Sequence, residues 1–505
     1  MRIKNWEIHE HDDIQEIAAE IDDFRLWYRL PKSFPISRTG DPFLAAALLP
    51  AMAKGEELDI EPHLPVSPKL LGNLQILQEI HHCWNPALKI IPIRAATSPA
   101  KPLIKGAFSF YSGGVDSTYT LLKLKDEISY IVFIQGFDFF AGRNMVLSFS
   151  TADISDLAQI SYKLDKGNDA VSAFLKSQLS KATLEALSKY QKSLSEPGTL
   201  ERALTADLQD IVVGRSIYQD QRFAGVKLRP ETRELLARAA DIKSPGELNR
   251  LLLEDAYPLE IAREKNAVYP AAIERNASFA RGLGKTLIPV ESNHFPFGYR
   301  YNLSRNLSQG SALASVALLL GFPRAFVPSS YSYNQLFPLG SHPLTDPLWA
   351  NEGMEIIHDG GEAMRVNKIR KIAEDARALA NLRVCFNDMN VNCGECLKCL
   401  RTMIPLRLLR ATTVPFPPLP PNKAIRKMRI AGAIEKSFFR DNLDLALQSG
   451  YSGLRNALRS CMRRYERLEL VRDVDRLILR GLFKRIHLAK AGPGFRRTNT
   501  TPRKD

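Results

Sequence analysis

The sequence lacks several features that would assign it to a specialised class of protein. No apolar run approaches the roughly 18 residues that a membrane-spanning helix needs, and the longest candidate is Ala312 to Phe322. No apolar segment of the secretory kind follows Met1. The six cysteines among 505 residues are too few for a disulfide framework, and four of them lie between Cys385 and Cys399. We therefore expect a cytoplasmic protein without a membrane partner, and a metal site at the clustered cysteines.

The remaining composition is that of an ordinary globular protein. Apolar residues make up 45% and charged residues 25% of the chain, which is enough to build buried cores and excludes global disorder. A length of 505 residues predicts about three domains. The net charge of +14 is concentrated at one end, because residues 421–505 contain 21 Lys and Arg against 8 Asp and Glu. Only this basic tail indicates a macromolecular partner, either a nucleic acid or an acidic protein.

The predicted elements alternate between strand and helix in the central part of the chain. This alternation starts at residue 106 and resumes after residue 270, and it predicts an α/β fold with one parallel sheet. A mostly polar, helical stretch at about 150–265 is predicted to be an insertion into that fold. The predicted strands are Gly106–Tyr111, Tyr130–Gln135, Thr286–Val290 and Arg324–Val327, and the predicted helices are Ser117–Lys125, Ala271–Leu283 and Gly310–Leu320.

Other segments surround this α/β core and set the predicted domain boundaries. The N-terminal part shows helical periodicity at Phe43–Met52 and Leu70–Ile80 and a strand-like run at Leu88–Ile93. A proline-rich run at 414–421 predicts a stiff spacer, and apolar residues at helical spacing predict an amphipathic helix at 453–487. The predicted parts are a small N-terminal α+β domain at 1–100, the main domain at 101–405, a linker at 406–421 and a basic helical tail at 422–505.

A glycine-rich hexapeptide lies between the first predicted strand and the first predicted helix of the main domain. Its two glycines let the backbone turn tightly around an anion, and the N-terminus of the following helix points its N–H groups and positive dipole end at that anion. Asp116 would repel a bare phosphate, so we expect it either to hold Mg²⁺ or to orient neighbouring donors. The predicted phosphate contacts are Ser112, Gly113, Gly114, Val115, Asp116 and Ser117.

The hexapeptide lacks the Gly-Lys-Ser/Thr ending of a Walker A loop, which disfavours γ-phosphoryl transfer. It resembles instead the motif of the PP-loop ATP pyrophosphatases. That resemblance implies that ATP is cleaved between the α- and β-phosphates, that a substrate oxygen is adenylated and that pyrophosphate is released. In this family the end of the next strand flanks the adenine, so the resemblance implies nucleotide contacts at Gly136 and Phe137, with Asp138 next to them as a substrate contact.

Four cysteines form a second motif at 385–399. Their spacing is Cys-x7-Cys-x2-Cys-x2-Cys, and four thiolates satisfy tetrahedral Zn²⁺ completely, leaving no open position for water. We therefore predict a structural zinc lobe, while an iron–sulfur cluster with similar spacing stays an alternative. The predicted metal ligands are Cys385, Cys393, Cys396 and Cys399.

The two motifs together resemble the 7-cyano-7-deazaguanine synthase family of the queuosine pathway and its homologues in anti-phage defence gene clusters. The resemblance covers roughly residues 106–150 and 265–405. It implies an ATP-dependent carbon–nitrogen ligase that adenylates 7-carboxy-7-deazaguanine, amidates it with ammonia and dehydrates the amide to a nitrile. ATP, Mg²⁺ and Zn²⁺ are then the expected cofactors. The N-terminal domain, the insertion and the tail depart from the family, so the acyl substrate stays open.

Candidates for binding the acyl substrate lie between the two motifs. Arg365 and Lys368 share one face of a predicted helix and could neutralise a carboxylate or the charge that develops on an adenylate. Together with Asp116 and Ser117 they are the predicted catalytic residues. The expected substrate contacts are Glu291 and Asn293 after a predicted strand, and His342 and Asp346 in a proline-bracketed loop.

Several functions stay open at this point. No cysteine precedes Cys83, so a glutaminase nucleophile is not expected near the start, and the nitrogen donor is free ammonia or an amine. If the amine belongs to a protein or nucleic acid held by the tail, the enzyme would attach a deazaguanine group to it. A second enzyme class is tRNA thiolation, and a third, non-enzymatic alternative is a nucleotide-sensing scaffold. A homodimer is also compatible with the sequence.

Overall fold

The computed structural model describes residues 1–135, 269–299, 301, 303–385, 391–411, 415–428, 430 and 433–477. The predicted insertion and the end of the tail lie outside these residues. The strands are β1 Arg2–His11, β2 Ile14–Ile21, β3 Phe24–Pro31, β4 Leu58–Ile60, β5 Ile93–Arg94, β6 Ala107–Phe110, β7 Ile128–Gln135, β8 Thr286–Ser292, β9 Arg324–Pro328 and β10 Glu355–Asp359. The helices are α1 Asp41–Lys54, α2 Pro68–Trp84, α3 Val115–Lys123, α4 Tyr269–Gly282, α5 His294–Tyr299, α6 Arg305–Leu320, α7 Arg365–Ala373, α8 Ala376–Asn381, α9 Leu397–Leu408, α10 Asn422–Lys427, α11 Ala433–Gln448 and α12 Ser452–Leu477.

The ten strands form one sheet in the order β10-β9-β6-β7-β8-β3-β2-β1-β4-β5. Its first five strands are parallel, which confirms the predicted α/β fold with a large parallel sheet. Strands β7 and β8 follow β6 in chain order on one side of it, whereas β9 and β10 are added on the opposite side of β6. The direction of winding therefore reverses between β6 and β9, and open α/β sheets bind ligands at the strand ends next to such a reversal.

The N-terminal part continues the same sheet. Strands β1, β2 and β3 are antiparallel, and Tyr28 and Arg29 of β3 pair with Ser292 and Glu291 of β8. One hydrophobic core includes residues from both parts of the chain, such as Leu48 of α1 and Val290 of β8. Residues 1–100 contain both strands and helices, and they share a sheet and a core with the main domain. The pairing of β3 with β8 joins distant segments and has no local sequence pattern.

The strand predicted at Leu88–Ile93 is wrong, because the structure has only the short β5 at Ile93–Arg94. Leu88 and Ile91 are buried, which produced the strand-like run. The Lys89 N–H donates to the carbonyl of Met52 in α1 rather than to a strand. Proline at position 92 also removes one backbone donor.

Two glycines let helix α6 approach the loop that follows β9. A Cβ placed on Gly310 would lie 1.9 Å from the carbonyl oxygen of Gly340, and one placed on Gly340 would lie 2.1 Å from the carbonyl oxygen of Leu307. These distances are too short for any side chain. The contact fixes the segment that starts at Ser341, which carries two predicted substrate contacts.

The C-terminal helices pack on the main domain. A separate hydrophobic core joins α9, α11 and α12. Its buried residues in α12 include Leu454, Leu458, Cys461 and Tyr465. The predicted helix is present from Ser452 to Leu477, and its apolar residues are buried as far as Tyr465, whereas Leu468, predicted on the same face, is exposed. The predicted linker at 406–421 begins inside α9, and its described part contacts the cysteine lobe through a 2.9 Å hydrogen bond from Asn392 to the Pro415 carbonyl.

Candidate functional site

The glycine-rich hexapeptide at 112–117, called the phosphate loop below, follows β6 and ends at the first turn of α3. Gly113 has φ +77°, a conformation that favours glycine, and Gly114 is the extended residue just before the helix. The Ser117 hydroxyl accepts from the Ser112 N–H at 3.3 Å and donates to the Gly114 carbonyl at 3.3 Å. The loop lies at the carboxyl end of β6, beside the reversal of the sheet. Its position and its helix terminus suit an anion.

Three cationic side chains from two helices converge on Asp116 of this loop. Lys368 Nζ lies 3.1 Å from Asp116 Oδ1, and Arg365 Nη1 lies 3.2 Å from Asp116 Oδ2. Arg401 of α9 lies near enough to lower the pKa of the Asp116 carboxyl as well. The Lys368 side chain is only 2% exposed and also donates to the Ser329 carbonyl at 2.6 Å. The predicted catalytic residues Asp116, Arg365 and Lys368 are therefore brought together.

The electrostatics of this cluster show an excess of positive charge. Burial acts to raise the pKa of Asp116, but the charges of Lys368 and Arg365 outweigh it and hold that pKa below its ordinary value. Burial, followed by repulsion from Arg365, lowers the pKa of Arg401 to about 9 although Asp116 opposes the shift. The three cations thus face two carboxylates, because Glu435 also acts on Arg401. Additional negative charge would be stabilised here.

Asp116 was expected either to hold Mg²⁺ or to orient neighbouring donors. Each of its carboxylate oxygens is bonded to a cationic side chain, one to Lys368 and the other to Arg365. This arrangement fits the second alternative, because Mg²⁺ would have to displace two cations. The structure gives no support to a Mg²⁺ site at this carboxylate.

Unpartnered polar side chains line the other side of the loop. Asn276 of α4 is fully buried next to Gly113, and neither its Oδ1 nor its Nδ2 has a hydrogen-bond partner in the described part of the chain. Arg275 has buried Nε and Nη2 atoms that likewise lack a partner there. Burial, followed by repulsion from Arg383, lowers the pKa of Arg275. Buried groups of this kind are costly unless a ligand bonds them.

The four clustered cysteines meet as the sequence predicted. Their sulfur atoms all lie within 4.8 Å of one another, and Cys385 Sγ and Cys396 Sγ are 4.0 Å apart. Zn–S bonds of about 2.3 Å in a tetrahedron place sulfurs about 3.8 Å apart, so the donor set fits a metal ion such as zinc. Burial raises the pKa of the Cys393 thiol to about 11, and hydrogen bonds with Cys385 and Cys396 raise that of Cys399. Four thiolates at this spacing therefore require a cation.

The cysteine lobe contacts the phosphate loop through the residues next to its ligands. Arg383, two residues before Cys385, donates its backbone N–H to the Gly113 carbonyl at 2.7 Å. Arg401 lies two residues after Cys399. Together with Lys368 and Arg365 it forms the group of three cations around Asp116, called the cation cluster below. A metal ion bound to the cysteines would thus fix both ends of a segment that touches the loop.

The remaining predicted substrate contacts lie at two different strand ends. Asn293 follows β8, and its amide accepts from the Trp27 N–H at 2.9 Å and donates to the Arg25 carbonyl at 2.8 Å. Both contacts tie β8 to β3, which accounts for this amide without a substrate. Glu291 pairs with Arg29 in the same register. These residues are two strands away from β6, so the structure does not bring them to the phosphate loop.

His342 and Asp346 instead form a polar cluster near the end of β9. Asp346 accepts from the Ser341 hydroxyl at 2.8 Å, from the His342 N–H at 3.2 Å and from His358 Nδ1 at 2.7 Å. The predicted contacts at Gly136, Phe137 and Asp138 lie outside the described residues.

Several residues of this site are not predicted from the sequence. Arg401 could have been found from its place two residues after the last cysteine of the motif. Ser329 and His358 follow or end parallel strands, where ligand contacts are common, although β10 itself was not predicted. Asn276 stands within an ordinary helix, and nothing in the local pattern distinguishes it from a solvated residue.

Comparison with known proteins found no match to this chain. No family model, curated protein or solved structure matches the chain. None of the helices in the described ranges is both long enough and apolar enough to cross a membrane. Function is therefore inferred from the geometry of the loop, the cations and the cysteines.

Proposed function

We propose that this chain is an ATP-dependent ligase that forms an acyl adenylate and releases pyrophosphate. The observation that carries this proposal is the convergence of Lys368, Arg365 and Arg401 on the loop at 112–117, where the carboxylates of Asp116 and Glu435 leave them in excess. A polyphosphate would neutralise that excess, and the N-terminus of α3 adds backbone donors. The resemblance of the hexapeptide to the motif of the PP-loop enzymes supports a nucleotide at this loop.

The chemistry needs a site of this kind. At neutral pH a carboxylate and an amine form a salt, whereas an acyl adenylate has a good leaving group. When the carboxylate attacks the α-phosphorus, negative charge builds up on the departing pyrophosphate, and fixed cations stabilise it. Holding both reactants in line could supply an effective molarity of about 10⁵ M or more. Asp116 keeps Lys368 and Arg365 in position for this step.

The four cysteines would hold Zn²⁺ in a structural role. With four sulfur ligands, such an ion has no open position for substrate or water. Its contribution would be to hold Arg383 against the loop and Arg401 in the cation cluster. Because all four cysteines of the motif meet in one place, no thiol of this motif is left for tRNA thiolation.

The proposed acyl substrate is a carboxylate that resembles 7-carboxy-7-deazaguanine, and the proposed nitrogen donor is ammonia or an amine. The product is an amide, or a nitrile after a second activation. Attachment of the deazaguanine group to a protein or nucleic acid is the alternative outcome. Exposed arginines of α12, among them Arg463 and Arg467, would contact such an acceptor.

The test is ATP–pyrophosphate exchange and AMP release with 7-carboxy-7-deazaguanine, with and without ammonium. We compare Lys368→Met with Lys371→Met, since both lysines lie on α7 but only Lys368 is buried against the loop. We expect Lys368→Met to slow exchange by about 10²–10³-fold, in line with the loss of one stabilising group at a developing charge. Lys371→Met should leave the exchange rate unchanged.

Two results would contradict the proposal in different ways. Equal exchange rates in the two lysine variants would show that the cation cluster is not the nucleotide site. Tight ATP binding without AMP formation would remove the ligase activity and favour a nucleotide-sensing protein. Mass spectrometry of the product separates a free nitrile from a macromolecular conjugate.

A further inference from the structure

A second polar site adjoins the cation cluster. It is a small cleft at the end of β9, with room of about 10 Å³, and its walls include Gln309, Ser329, Tyr331, Ser341, His342 and His358. That volume is about what one water-sized molecule needs. Most of its lining is polar, which suits a small nucleophile better than an apolar ligand.

His358 has the geometry of a proton acceptor. Its Nδ1 lies 2.7 Å from Asp346 Oδ2, and both side chains are at most 4% exposed. Because the Asp346 carboxylate accepts a hydrogen bond from Nδ1, the lone pair of the neutral ring is on Nε2. His358 Nε2 is buried and has no hydrogen-bond partner within the described ranges. The ring lines the cleft, so this unsatisfied acceptor is available to a ligand there.

Asp346 itself is held in place by two further donors. The Ser341 hydroxyl and the His342 N–H both bond its carboxylate, at 2.8 and 3.2 Å. Burial, followed by repulsion from His358, lowers the pKa of His342, while Asp346 opposes that shift. The orientation of the His358 ring is therefore fixed by its surroundings before any ligand arrives.

The cleft shares two residues with the surroundings of the phosphate loop. The Ser329 carbonyl that borders it accepts from Lys368 Nζ at 2.6 Å. Tyr331 stacks on Phe438 at 5.9 Å, and the guanidinium of Arg401 lies 4.4 Å from the centre of the same Phe438 ring. A molecule in the cleft would thus be separated by one residue from Lys368, a cation of the proposed nucleotide site.

We propose that this cleft binds the nitrogen nucleophile and that His358 Nε2 accepts a proton from it, with Asp346 as the residue that positions His358. The inference rests on the proposed ligase function and adds the second half of its reaction. Ammonium is the main form of ammonia at neutral pH, and it has no lone pair until a base removes a proton.

The proposed step balances as follows. Ammonium gives one proton to His358 Nε2, and the lone pair of the resulting ammonia forms a bond to the acyl carbon. The bond between this carbon and the AMP oxygen breaks, and its electron pair leaves with AMP. A second N–H proton passes to the leaving phosphate. The products are the amide, AMP and a protonated His358, which returns its proton to solvent.

The experiment measures two steps separately in His358→Gln, with 7-carboxy-7-deazaguanine as the acid. The first step is adenylation of the acid, and the second is transfer of the acyl group to nitrogen. Exchange of pyrophosphate with ATP reports adenylation, and amide formation is measured with ammonium chloride. Hydroxamate formation is measured with hydroxylamine, which is largely unprotonated at neutral pH and needs no base. We expect the amide rate to fall by about 10²–10⁴-fold, the usual size of a general-base contribution, while hydroxamate formation changes little. Asp346→Asn should show the same split, and His82→Gln, outside the cleft, should resemble the unmodified protein.

Each other outcome counts against the inference. Equal loss of amide and hydroxamate in His358→Gln would indicate a merely structural histidine. If His358→Gln keeps both its ATP–pyrophosphate exchange and its rate of amide formation, the role of His358 is overturned and the proposed ligase function still stands. Absence of exchange in the unmodified protein would overturn that function and this inference with it.

Discussion

Lys368 Nζ lies 3.1 Å from Asp116 Oδ1 and so joins two segments that are 252 residues apart in the sequence. A lysine that is 2% exposed needs a counter-charge, and Asp116 provides it from the phosphate loop. The same carboxylate also bonds Arg365. Asp116 thus offsets part of the positive charge of the cation cluster when no polyphosphate is bound.

Replacing Asp116 with asparagine should destabilise the free protein and strengthen anion binding. The cations lose their counter-charge, and we expect the free energy of unfolding to fall by about 1–3 kcal/mol, between the values for exposed and buried pairs. Pyrophosphate should then raise the melting temperature more in Asp116→Asn than in the unmodified protein. Asp126→Asn, at an exposed position after α3, is the matched control. A smaller response to pyrophosphate in Asp116→Asn would argue against an anion site here.

Removing a cysteine ligand should release the metal and disturb the phosphate loop. We expect one zinc per chain by elemental analysis, and its loss in Cys399→Ser together with a large drop in stability, since structural zinc contributes about 10 kcal/mol or more. Cys461→Ser changes a buried cysteine outside the cluster and should keep the metal. Iron with acid-labile sulfide would instead support an iron–sulfur cluster. ATP affinity unchanged by zinc chelation would contradict the coupling through Arg383.

Stability should depend on pH between about 4 and 6.5 because of His81. Burial lowers the pKa of His81 to about 4, and neither ring nitrogen has a partner in the described residues. In that pH range the unfolded chain binds the proton and the folded chain does not, so the contribution of His81 to stability rises with pH. Asp41 and Asp441 act in the opposite direction, because burial raises the pKa of each to about 6 in the folded chain. The shift corresponds to about 3 kcal/mol of unfolding free energy. His81→Gln should remove this contribution, which denaturant titrations measure as the difference in stability between the variant and the unmodified protein at each pH, whereas the same difference in His82→Gln would refute the assignment.

Two glycine-to-alanine changes in helices should have opposite effects. A Cβ on Gly310 would meet the Gly340 carbonyl oxygen at 1.9 Å, and we expect Gly310→Ala to lower stability by about 3 kcal/mol. Gly72 in α2 has no neighbouring atom within 4 Å of its added Cβ, so Gly72→Ala should raise stability by about 0.5–1 kcal/mol. Urea unfolding measures both. A neutral Gly310→Ala would show that α6 and the loop can separate without cost.

The sequence predicts the parallel half of the sheet and the two main motifs well. Each of its four predicted strands and three predicted helices lies within a few residues of an observed element. The cysteine spacing predicts the cluster because all four ligands are close in sequence. The grouping of Arg365 with Lys368 follows from helical periodicity alone.

Other parts of the site depend on contacts that no local pattern encodes. The pairing of β3 with β8 and the burial of Asn276 beside Gly113 both require the complete fold. His358 is placed near Asp346 by the parallel pairing of β10 with β9, which aligns residues from distant segments. Asn293 has the composition expected of a site residue, but its amide serves the backbone of β3.

The pairing of β3 with β8 also affects how the chain is made. The Trp27 N–H and its acceptor Asn293 are 266 residues apart, and a ribosome adding about 5–20 residues per second needs roughly 13–53 s to cover that distance. During this time the hairpin of β2 and β3 can form, but the outer edge of β3 has no strand to bond. An unpaired edge invites association with other chains. The nascent protein therefore passes through an aggregation-prone stage that ends only when β8 emerges.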